Sequence, residues 1–126
     1  MKIATIVVQV LVGFVFVFFG LNAFLQFLKA PLPPGQAGEF LTILFMSKWL
    51  LFIGGVQVIG GALLLVNRFV PLGITLLGPV IVNILLFHGL LSHPGWQPGV
   101  VMAILWIFLF SRYKKNFAGI FAAKAL

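Results

Sequence analysis

IGGVQVIGGALLLVNRFVPLGITLLGPVIVNILLFH, residues Ile53 to His88, decides how this chain is read. It contains two apolar runs joined by a very short basic turn, Asn67-Arg68-Phe69. Glycines crowd the first run, and Pro79 sits inside the second. Each run carries one side-chain amide, Gln57 in the first and Asn83 in the second. Runs of this length and apolarity are read as helices that cross a bilayer, which takes about 20 residues.

Composition agrees. The 126 residues are 63% hydrophobic and 7% charged, with a mean hydropathy of +1.26. A soluble domain this small has a large surface for its volume and needs far more polar residues to cover it. Glu39 is the only acidic residue against eight Lys and Arg, a net charge of +7. On a soluble protein that balance suggests nucleic acid. On a membrane chain it is an orientation signal and an attraction to anionic lipid, so no nucleic-acid partner is expected. Cysteine is absent, which excludes disulfides, thiol redox chemistry and Cys-ligated zinc or iron–sulfur centres within the chain.

Working outward, the run from Ile3 to Leu28 is too long for a signal-peptide core and has no A-x-A pattern, so it is expected to span. Gly13 and Gly20 lie on one of its faces and admit a close neighbour. Asn22 and Gln26 make a polar edge near its far end. Lys29 to Glu39 reads as a loop held extended by Pro31, Pro33 and Pro34. A second helix is expected over 40–66. Lys48 and Trp49 suit the headgroup level near its start. Gly54 and Gly61 share the face of Gln57, whose amide needs a partner in hydrocarbon. That partner is either a neighbouring helix or a polar ligand.

A third helix is expected over 71–90, with Pro71 in its first turn and a kink at Pro79. The loop Ser92 to Gly99 is turn-rich, and a fourth helix runs over 98–111. The tail after Arg112 alternates aromatic and small residues, as a segment lying on the membrane surface would. Residues 1–126 thus read as one all-α domain, a four-helix transmembrane bundle.

Lys2, Arg68, Arg112, Lys114, Lys115 and Lys124 fall on one side, Lys29 and Lys48 on the other. The positive-inside rule then makes both termini cytoplasmic. The polar residues capable of chemistry gather toward the outer half: Asn22, Gln26, Glu39, Lys48, Asn83, His88 and His93. They include no Ser/His/Asp set, phosphate loop or paired carboxylates, and two histidines supply a metal poorly. Neither a catalytic residue nor a metal is expected. Asn22, Gln57, Asn83 and His88 are the candidates for contact with a ligand. These residues by themselves call for no cofactor.

Four pieces of the chain, in order, carry a family resemblance: FGLNAFLQF (Phe19 to Phe27), PLPPGQAGEF (Pro31 to Phe40), Gly54 to His88, and RYKKNF (Arg112 to Phe117). Together they resemble the DoxX family of small four-helix bacterial membrane proteins. The resemblance implies a multi-pass protein of the bacterial cytoplasmic membrane. Its relatives include membrane subunits of thiosulfate:quinone oxidoreductase and proteins that associate with thiol-handling enzymes. Family members often carry a glutamate where this chain has Gln57. Two functions follow as expectations. One is a non-enzymatic accessory or anchoring subunit of a larger membrane complex, with self-association also open. The other is an oxidoreductase subunit holding a quinone between its helices.

Overall fold

The computed structural model describes residues 2–29 and 31–124. Met1, Ala30, Ala125 and Leu126, which belong to the expected domain, loop and tail, lie outside the described residues. Five α-helices follow in order: α1 (Lys2–Leu25), α2 (Gly35–Met46), α3 (Trp49–Leu65), α4 (Val70–Leu86) and α5 (Gln97–Arg112). A π-helical segment, Phe87–Leu91, prolongs α4, and a 3-10 helix, Lys114–Phe121, follows α5. No strand occurs among the described residues.

Helix α1 packs on α3, α3 on α4, α4 on α5, and α5 returns to α1. Val12, Phe16, Leu64, Ile74, Leu77 and Leu109 fill the centre. The outward faces are equally apolar: Ile3, Phe14, Ile43, Ile104 and Ile107 are all exposed. Apolar residues on the inside and the outside together mark a protein whose solvent is lipid. Two helices, α1 and the continuous Val70–Leu91, are long and apolar enough to cross a membrane, and the α2–α3 pair makes a third if taken as one bent span. At 16 residues, α5 is a shorter apolar helix.

Glycine sets the closest approaches. Gly13 of α1 faces Gly61 of α3, and a Cβ on Gly61 would fall 2.7 Å from the Gly13 carbonyl oxygen. Gly20 meets Gly54 in the same way, 2.8 Å from a Cβ on either to the other's oxygen. The pairing runs antiparallel. On the next face of α3, Gly60 lies against Gly73 and Leu77 of α4. Without a water-driven hydrophobic force between helices in lipid, such close packing is what holds them.

The structure departs from the expected helix over 40–66. That stretch is two helices, α2 and α3, bent by 82° at Ser47 and Lys48. Lys48 takes a left-handed backbone, φ 65°, and the Ser47 hydroxyl accepts the Trp49 N–H at 3.3 Å. A serine that binds backbone in this way competes with the helix ladder. The expected proline-rich loop is also shorter. Pro34 is the extended N-cap of α2, which starts at Gly35, as suits a proline at a helix entrance. Gly38 lies against the Pro33 carbonyl with no room for a side chain.

Elsewhere the ends move by a few residues. Helix α1 stops at Leu25, with Gln26 left-handed at φ 54°. Helix α4 carries Pro79 inside it without ending. The Thr75 hydroxyl, one turn before Pro79, donates to the Pro71 carbonyl at 2.9 Å.

Gly61→Ala forces Cβ onto the Gly13 backbone and is expected to destabilise the fold by about 1–3 kcal/mol. Gly119→Ala, with nothing within 4 Å of the new atom, should be silent by comparison. Thermal unfolding in detergent separates the two. Lys48→Gly relieves the left-handed backbone and is expected to stabilise by about 1 kcal/mol in the same assay.

Candidate functional site

At the end of the molecule where α1 begins, a buried amide joins three helices. Gln9 is only 2% exposed. Its Nε2 donates to the Leu64 carbonyl and to Asn67 Oδ1, both at 2.9 Å. Its Oε1 accepts the Tyr113 hydroxyl at 2.6 Å. The local fold explains why Asn67 is available. It is left-handed at φ 57° and ends α3 in a Schellman turn, with Asn67 N–H on the Leu64 carbonyl and Arg68 N–H on that of Leu63. Asparagine tolerates that backbone better than most residues. Beside it, Arg112 Nε donates to Thr5 Oγ1 at 3.1 Å. Lys2, Arg68, Lys114 and Lys115 stand exposed around this cluster.

Sequence reading passed over Thr5, Gln9 and Tyr113. The signal was available: Thr5 and Gln9 are one turn apart on α1 and would share a face, inside an otherwise apolar run. Gln9 uses both its amide protons and its carbonyl oxygen within this cluster, which clamps the helix ends together.

Between α4 and α5, Trp106 Nε1 donates to the Ile74 carbonyl at 2.9 Å. Next to it opens an apolar groove of about 450 Å³, walled by Thr75, Pro79, Val82, Trp106 and Ile107, with Phe121 of the 3-10 helix.

The candidates named from sequence scatter. Asn22 Oδ1 accepts the Leu28 N–H at 2.8 Å and so closes the end of α1. Gln57 is half-buried on α3, its Cβ beside Gly20. Asn83 is exposed on α4, and no side-chain hydrogen bond holds it among the described residues. His88, in the π-helical segment, shares with His93 a pocket of about 390 Å³ lined also by Leu85, Trp96 and Val100. Asn22, Gln57 and Asn83 line neither this pocket nor the groove. His88 Nδ1 lies 2.9 Å from the Ser92 carbonyl. A carbonyl only accepts, so Nδ1 donates in this contact. No group of three or more His, Cys, Asp or Glu residues able to hold a metal is gathered among the described residues.

Comparison with family models, curated proteins and solved structures gives no match to this chain.

Tyr113→Phe leaves the Gln9 carbonyl oxygen buried without its donor and is expected to lower stability by about 1–2 kcal/mol. Gln9→Leu strands Tyr113 and Asn67 together and should lower it further. Thermal unfolding of each variant in detergent, beside a Lys115→Gln control, tests the assignment.

Proposed function

We propose that the chain is a four-helix bundle of the bacterial cytoplasmic membrane and serves as a non-enzymatic accessory subunit of a larger assembly. In this reading α1, α3, α4 and α5 cross the bilayer in alternating directions, and α2 lies along the outer interface. The start of α1, the turn after α3 and the end of α5 meet at the Gln9 cluster, and five of the eight basic residues, Lys2, Arg68, Arg112, Lys114 and Lys115, sit on these segments or directly after them. That end is therefore assigned to the cytoplasm.

One observation carries the accessory role. Asn83 is an exposed amide on an apolar helix, without a side-chain hydrogen bond among the described residues and eight residues short of Leu91 where the span ends. An amide facing hydrocarbon at that depth costs several kcal/mol unless another group meets it. A neighbouring membrane helix, from another subunit or a second copy, meets it by an interhelical hydrogen bond. The likeness to DoxX proteins, some of which are membrane subunits of oxidoreductases, points the same way.

A second reading rests on the pocket of His88 and His93. With Nδ1 turned to the Ser92 carbonyl, His88 has Nε2 left for a polar headgroup such as that of a quinone, with Trp96 lining the same pocket. Gln57, which stands where family members often have a glutamate, lines neither cavity and takes no proton in this reading.

Gentle extraction followed by native mass spectrometry distinguishes the two. With Asn83→Leu, recovery of the chain in its assembly is expected to fall by about three- to thirtyfold, while Asn83→Gln retains it. Unchanged recovery with Asn83→Leu removes the accessory reading's support. A quinone that copurifies with the native chain and is lost with His88→Ala establishes the second.

A further inference from the structure

The groove between α4 and α5 is walled in part by the same short helix that carries Lys114 and Lys115. Its wall includes Ile120 and Phe121 of the 3-10 helix. That helix is held in place by Phe117, which is buried with its ring 4.7 Å from that of Phe110. Phe121 meets the same Phe110 ring edge-on at 6.3 Å. The same short helix opens with Lys114 and Lys115, both exposed, and Arg112 closes α5 just before it. Apolar wall and cationic rim thus belong to one continuous segment.

Among the described residues no acidic side chain belongs to that segment. Glu39 is the sole acidic side chain and belongs to α2, which packs on α3 and on the π-helical segment. Arg112 is bound instead to the first turns of α1, through Thr5. The positive charge there is left for an outside anion.

We infer that the groove seats one anionic phospholipid, with an acyl chain against Pro79, Val82, Trp106 and Ile107 and its phosphate at Lys114 and Lys115. Only a molecule with an apolar tail joined to an anion satisfies both parts of the site.

The test uses the full chain in neutral detergent, offered phosphatidylglycerol or phosphatidylcholine at equal mole fraction, with retained lipid counted by native mass spectrometry. Retention of phosphatidylglycerol is expected to exceed that of phosphatidylcholine by about tenfold, as two lysines near an anionic headgroup imply. The double variant Lys114→Gln/Lys115→Gln brings the two lipids close to parity. Ile107→Trp and Val82→Trp fill the groove from opposite rims, at side chains 61% and 54% exposed, and leave the core untouched. Either is expected to abolish retention with both lysines present. Equal retention of the two lipids by the native chain overturns the inference, and so does phosphatidylglycerol held undiminished by both tryptophan variants. Asn83 does not line the groove, so this result and the association result stand independently.

Discussion

The rest of the fold depends on the backbone-to-backbone contact of α1 with α3. At Gly13–Gly61 and Gly20–Gly54 each helix presents a carbonyl oxygen where any other residue would place a side chain. Two such contacts, seven residues apart on each helix, set both the distance and the register of the pair. The other face of α3 repeats the device with α4 at Gly60 and Gly73. Helix α3 is thus a slender strut held on two sides, and α5 completes the ring through side chains, with Trp106 over Gly78 and Ile84 over Gly99. A methyl added at Gly54 or Gly61 pushes on α1, and one added at Gly60 pushes on α4.

Polar side chains are divided by where they can find partners. At the basic end, Gln9 uses both its protons and its carbonyl oxygen within the molecule, and the low dielectric around it strengthens each bond. On α4, Asn83 has the same amide chemistry and no side-chain hydrogen bond among the described residues. The difference between them is one of position, since Gln9 lies on the packed face of its helix and Asn83 on the open one. That contrast is what separates a structural amide from a candidate contact.

The helices were legible where apolar runs are long and their boundaries carry proline, glycine or charge. Residues 98–111 were read within a residue at each end, and the turn at Asn67 and Arg68 was recognised. The break at Ser47-Lys48 was hidden because both residues suit a lipid headgroup level, where a serine and a snorkelling lysine are unremarkable. Only their joint effect on the backbone, a hydroxyl caught by Trp49 N–H beside a left-handed lysine, turns the chain by 82°. The clamp at Gln9 went unread because its partners are 55 and 104 residues away in sequence. Asn22 looked like a ligand contact, yet its oxygen closes its own helix end, a use that sequence spacing does not reveal.

The helix lengths have a consequence for the surrounding bilayer. In the proposed four-span arrangement, long and short helices alternate around the ring: α1 with 24 residues, α3 with 17, α4 and its extension with 22, α5 with 16. At 1.5 Å per residue, α3 and α5 reach about 25 Å, while the other two exceed about 30 Å. A hydrocarbon layer of about 30 Å is too thick for one diagonal of the ring and too thin for the other. The long pair must tilt and the lipid beside the short pair must thin, at fractions of a kcal/mol per Å of mismatch. Such a molecule is at home in a thin membrane, or beside a neighbour that has already thinned it.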